Sequence, residues 1–220
     1  MPVHEILRRL PDIAELKNRS RALAMLDAVM SPDWESRYYS FDSHWSPQEE
    51  MASMRNGSGD DYAMVFSPAG VFARGYDHES PMDRASRPWP DLVDSVPESL
   101  VAQVTEPAFC HPDGTPRMTV CFWREVHDDA WHCGDVALPT GHGPDADGAD
   151  RLFDVLVDGR PEAYREFAED YYETEVDLDA VRRVYALQPL TVDLVARLNP
   201  ETSLHDLADD RTQIGYPLAG

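Results

Sequence analysis

Apolar residues recur at near-helical spacing near the start of the chain, where Ile13, Leu16, Leu23, Leu26 and Met30 form one stripe. Pro11 interrupts the helical segment before this stripe. Ser31-Pro32 ends it, because the residue before a proline is pushed out of the helical region. The period then changes. Tyr38-Tyr39-Ser40-Phe41 reads as a strand and residues 49–55 as a second. Asn56-Gly57-Ser58-Gly59 carries turn chemistry, since Asn and Gly tolerate positive φ. Tyr62, Met64 and Phe66 alternate as strand residues do, Ser67-Pro68-Ala69-Gly70 turns the chain, and residues 71–76 pair back. The pattern predicts an antiparallel meander.

Prolines punctuate residues 78–116 and exclude long helices there, leaving room for a short helix over 97–104 with Pro97 in its first turn. Residues 117–126 and 131–138 are predicted to form a further hairpin around His127-Asp128-Asp129-Ala130. In that register Val126 faces Trp131, Arg124 faces Cys133 and Cys121 faces Val136. Met118, Val120, Phe122, Val126, Trp131 and Cys133 then share a core face. Residues 139–149, rich in Gly, Pro and Asp, read as a linker or exposed loop.

The last third is predicted to be helical. Pro161 opens one helix, with Tyr164, Phe167, Ala168, Tyr171 and Tyr172 on its apolar face. Asp177 caps a second, bearing Leu178, Val181, Val184 and Tyr185. Thr191 caps a third through Leu198, and Ser203 a fourth. Strands in the middle and helices at the ends predict an α+β fold. Its antiparallel sheet has five or six strands, packed by an N-terminal helix and a C-terminal group of short helices. A length of 220 residues suits one domain, with a sub-division at 1–144 and 145–220 open.

Charge changes this picture most. The chain carries 41 acids against 19 Lys and Arg, a formal net of −22. Residues 145–220 are the most densely charged. At 42% hydrophobic and 10% aromatic the chain can still build a core, unlike a disordered acidic chain. The surplus carboxylates must lie on the surface, where they repel nucleic-acid phosphates and anionic lipids and attract cationic partners. No nucleic acid and no membrane are therefore expected. The first 30 residues lack the apolar run of a signal peptide, and no stretch reaches the ~20 apolar residues of a membrane span. Three cysteines do not suggest a disulfide framework, so the expected compartment is the cytoplasm.

Candidate chemistry is sparse. Cys110, His111, Cys121, His132 and Cys133 lack the short Cys-x-x-Cys clasps of structural zinc sites, and strand alternation points Cys121 and Cys133 to opposite faces. Asp145, Asp147, Asp150 and Asp154 suggest a calcium loop. Aligning Gly148 with that loop's invariant glycine, however, puts Gly143 at the first ligand position and Asp154, not Glu, at the last. A solvated loop leading into a helix accounts for them better. The Asn56 turn is no phosphate loop, because no Gly-Lys-Ser/Thr follows and Asp60 and Asp61 would repel phosphate. No nucleophile elbow, metalloprotease helix or dinucleotide fingerprint occurs. No catalytic residue, cofactor or metal is implied.

Asp77-His78-Glu79 is the strongest candidate site, since flanking carboxylates favour the cationic imidazole. Asp60 and Asp61 are expected at the far end of the preceding strand. The competing structural expectation is that His78 and its neighbours cap a loop or pair with Arg55, Arg74 or Arg84. The five tryptophans, Trp34, Trp45, Trp89, Trp123 and Trp131, are core by default, except Trp45. It sits at a strand end where an exposed ring could anchor a partner. The candidate binding residues are thus Trp45, Arg55, Asn56, Asp60 and Asp61 on the meander, with Asp77, His78 and Glu79 at its close.

The stretch from Tyr38 to Ser80, above all MASMRNGSGDDY and GYDHES, resembles a group of acidic bacterial proteins, and YREFAEDYYE extends the likeness through the helical third. The resemblance brings no activity with it. In character the chain is also similar to immunity-type proteins, which bind and neutralise toxin domains. That likeness implies a non-enzymatic module engaging a basic protein partner. Two alternatives stay open: a hydrolase-like or metal-assisted enzyme using Asp77, His78 and Glu79, and a regulatory or structural protein whose charge serves solubility.

Overall fold

The computed structural model describes residues 1–83 and 91–218. The fold is α+β: a five-stranded antiparallel sheet with helices before and after it. A single turn, α1 (Val3–Ile6), precedes the Pro11 break, and α2 (Ile13–Met30) follows. Asp12 starts α2 by accepting the Glu15 N–H at 2.8 Å. Its apolar stripe is wider than the sequence pattern predicts. From Ala22 onward every residue of α2 is buried, because later helices pack on the side away from the sheet.

The meander runs β1 (Tyr39–Ser46), β2 (Glu49–Arg55), β3 (Asp61–Ser67), β4 (Gly70–Tyr76) and β5 (Val120–Glu125), with sheet order equal to chain order. Register sorts the residues by face. One row, Phe41, Ala52, Met64, Ala73 and Phe122, runs across all five strands into the main core. The next row, Ser40, Ser53, Ala63, Arg74 and Cys121, points the other way. At the β3–β4 turn Gly70 has φ +145, and a Cβ there would lie 2.2 Å from the carbonyl oxygen of Arg124. Only glycine lets β5 approach.

The sheet stops at five strands. Beyond β5 a single bridge pairs Trp123 with His132, and residues 133–138 form no strand. The turn also comes earlier than predicted: Asp128 donates its N–H to the Glu125 carbonyl and accepts the Glu125 N–H on its carboxylate. The expected pairings of Val126, Arg124 and Cys121 are therefore displaced. After the bridge the chain meets Asp91 and Leu92 instead of β5. The Cys121 thiol donates to the Leu92 carbonyl, and a Cβ on Gly134 would sit 2.1 Å from that of Asp91. Val120, Phe122, Trp131 and Cys133 do share the main core face, but Met118 packs into a second cluster on the opposite face and Val126 is exposed.

The helical face is closed by α3 (Ala149–Asp158), α4 (Pro161–Tyr171), α5 (Leu178–Tyr185), α6 (Val192–Leu198) and α7 (Ala208–Ile214). Pro161, Asp177 and Thr191 begin their helices as predicted, the last two accepting the N–H groups of Ala180 and Leu194 at 3.1 Å. Ser203 opens no helix. It and Asp206 hydrogen-bond each other and close a turn, and α7 starts after Leu207. The 97–104 helix is instead a 3₁₀ turn over Val101–Thr105.

Residues 146–149 are buried, contrary to an exposed loop. The Asp147 carboxylate accepts the Val3 N–H at 2.8 Å and its carbonyl accepts the Thr119 hydroxyl, tying the chain's start to the end of the sheet. Among the described residues no helix is long and apolar enough to cross a membrane.

Candidate functional site

Antiparallel pairing decides where the sequence candidates meet. Asp61 lies opposite Tyr76, so the turn before β3 stands beside the segment after β4. Asp60 is therefore next to His78 and not remote from it. His78 Nδ1 lies 2.7 Å from Asp60 Oδ1, which also accepts the His78 N–H at 3.0 Å, and Asn56 Nδ2 donates to Asp60 Oδ2 at 2.7 Å. The Asp60 hydrogen bond raises the pKa of His78. Burial pushes Asp60 up, but the donations from His78 and Asn56 outweigh it and leave the carboxyl below its ordinary range.

Asp77, His78 and Glu79 diverge. Asp77 is buried, accepts the Glu79 N–H and pairs with Arg151 of α3, while Glu79 is exposed and 3.6 Å from the same guanidinium. Neither Arg55 nor Arg74 pairs with them as expected; Arg84 and Trp89 lie outside the described residues. Asp60, Asp77 and His78 each offer a ligand atom within 4.8 Å of the others. Those atoms already serve Asn56, Arg151 and backbone N–H groups, which makes the cluster a latch between the β2–β3 turn, β4 and α3. The zinc candidates do not converge: Cys121 is in the second core cluster, and Cys133 lies 3.2 Å from His4 Nδ1.

The larger feature is a groove of about 450 Å³ on the face opposite the helices. Its floor is the row of small residues Ser40, Ser53 and Ala63. Trp34, Trp45 and Phe109 stand around it, with Trp45 and Phe109 parallel at 6.3 Å between centroids. Phe109, in a 3₁₀ turn (Pro107–Phe109), packs on Ala63 and Val65, so this turn covers the middle of the face and, among the described residues, the β1–β3 side is left open. Trp34 is 52% exposed and is not the core residue expected.

Three arginines enter the groove. Arg55 lies 4.0 Å over the Trp34 ring and donates to its carbonyl. Arg74, 7% exposed, pairs with Asp61, which also takes Arg117. Arg117 lies 3.9 Å over Tyr76 and donates to the Gly59 carbonyl. Arg74 Nε is buried with no hydrogen-bond partner among the described residues. Trp45, Arg55 and Asp61 thus come together as sequence candidates. Trp34, Arg74, Phe109 and Arg117 were missed as site residues. One signal was present: an arginine inside the apolar strand Val-Phe-Ala-Arg-Gly-Tyr, which the Ser67–Gly70 turn pairs beside Ala63.

A second hollow, about 350 Å³, lies between α3 and α4 and is acidic. Asp154 and Asp158 of α3 face Glu166 and Asp170 of α4, with Arg151 and Arg160 at the margins. Burial raises the Asp154 pKa, and repulsion from Asp150 and Asp158 adds to it. Arg160 is engaged by Asp158 and Arg151 by Asp77, so Asp154, Glu166 and Asp170 carry no ion-pair partner among the described residues. No family model, curated protein or solved structure matches this chain.

Proposed function

We propose that the protein is a non-enzymatic binding module whose acidic surface engages a basic protein partner, with the hollow between α3 and α4 at the centre of contact. A toxin-neutralising module of the immunity type is its most concrete form. The supporting observation is the uncompensated set Asp154, Glu166 and Asp170. Elsewhere many acids are matched locally, as Asp61, Asp77, Glu162, Asp177 and Asp210 are by arginines. A cationic side chain entering the hollow would relieve the crowding at Asp154, and the surrounding field would speed its approach while turning nucleic acid away.

The test is a titration with a Lys/Arg-rich peptide at low and at high salt. Binding should weaken by at least about tenfold between roughly 50 and 300 mM salt, and the triple variant Asp154→Asn, Glu166→Gln, Asp170→Asn should lose most of it. Salt-indifferent binding, or full affinity in that variant, refutes the proposal. A metal-assisted role for Asp77, His78 and Glu79 has only the 4.8 Å approach of Asp60, Asp77 and His78 in its favour. Arg151, already seated on Asp77, competes with any cation.

A further inference from the structure

We propose that the groove on the open sheet face binds a small organic anion with a flat apolar body, its carboxylate or phosphate head held among Arg55, Arg74 and Arg117 and its ring against Trp45 and Phe109. This site shares no charged residue with the α3–α4 hollow and does not depend on the cationic-partner proposal. Charge is the first argument. In a chain of net −22, three guanidinium groups line one groove with a single carboxylate, Asp61, among them. Asp61 cannot neutralise all three, and Arg55 has no acid partner among the described residues.

The second argument is the buried Arg74 Nε. An arginine in a strand interior must desolvate its guanidinium, and Asp61 satisfies only the Nη1 end. An acceptor arriving in the groove would meet the same unpaired edge at Nη2, which has no hydrogen-bond partner among the described residues, and guanidinium groups match carboxylate and phosphate oxygens in geometry. Shape is the third. The floor of Ser40, Ser53 and Ala63 makes a depression about the size of small-molecule sites, and the parallel rings of Trp45 and Phe109 offer an apolar flank.

The global charge does not forbid such a ligand. At physiological salt the Debye length is about 8 Å, so a small anion inside the groove responds mainly to the three nearby arginines. A polyanion spanning the surface would still meet the surrounding acids. The proposal is therefore confined to small molecules.

The experiment titrates the full chain with benzoate and phenylphosphate, following tryptophan fluorescence, with benzyl alcohol as the uncharged control. Saturable one-to-one binding by at least one anion is expected, at least about tenfold tighter than benzyl alcohol. The preferred anion identifies the head group. Arg55→Ala and Trp45→Ala, both checked for an unchanged thermal midpoint, should each weaken binding about fivefold or more. Removing the more buried Arg74 is avoided because it could unfold the sheet. Absence of saturation by either anion up to ~10 mM, equal affinity for benzyl alcohol, or full affinity in Arg55→Ala overturns the proposal. Any of these leaves the cationic-partner proposal standing.

Discussion

The hydroxyl of Tyr164 donates a 2.7 Å hydrogen bond to Oδ1 of Asp27, joining α4 to the last turn of α2. The other carboxylate oxygen accepts the N–H groups of Tyr38 and Tyr39 at 2.9 and 2.7 Å, where the chain enters β1. One fully buried acid thus holds the central helix, the sheet edge and the C-terminal helices in register. Burial raises its pKa to about 6, against the opposing pull of those donors.

A pH dependence follows. Asp27 binds its proton more tightly folded than unfolded, so its contribution is complete below about pH 4 and is lost as pH rises through about 6. Stability should fall by about 3 kcal/mol across that interval from this group alone. Asp27→Asn should flatten the interval in denaturant titrations. Tyr164→Phe should cost about 1 kcal/mol and move the window upward, since a bond favouring the charged carboxylate is gone.

Arg37 makes a comparable tie. It is 7% exposed, donates to the Ser31 and Pro32 carbonyls and pairs with Asp210 of α7. Asp210→Ala leaves a nearly buried guanidinium without its acid and should destabilise by about 2 kcal/mol or more. Hydrogen exchange should localise the loss to α7 and the start of β1.

Gly70→Ala tests the closure of the sheet. The added carbon meets backbone, not a movable side chain, and φ +145 disfavours any L residue. The cost should be about 3 kcal/mol, read as a lowered denaturation midpoint, with β4–β5 amides losing protection first.

The His78–Asp60 latch has a spectroscopic signature. Because the Asp60 hydrogen bond raises the imidazole pKa, the His78 ring should titrate above its ordinary 6.5 by NMR. Its raised value means the latch contributes below about pH 6.5 and weakens as pH rises through the folded midpoint. Asp60→Asn should bring that midpoint back down.

Local rules carried the sequence reading a long way. Alternation at Tyr62, Met64 and Phe66, the Asn56 and Ser67 turns, and the Asp177 and Thr191 caps depend on neighbours a few residues apart, and the folded chain keeps them. The sixth strand failed for a reason no local pattern holds: Asp91 and Leu92, far back in the chain, lie against Cys121 and Gly134. Asp27 escaped notice because a helical apolar stripe gives no hint that the opposite side will be buried as well.

The sequence by itself determined the order of strands and helices, the meander and the excess of negative charge, because period, turn chemistry and composition are properties of the chain alone. Tertiary structure decided which side of the sheet the helices cover, where the described residues leave the other side open, and that Arg55, Arg74 and Arg117 line one groove there, the last two on Asp61. Strand alternation assigns each side chain to one of two faces. What comes to lie on each face is set by segments distant along the chain, whose packing competes only once the whole molecule has folded.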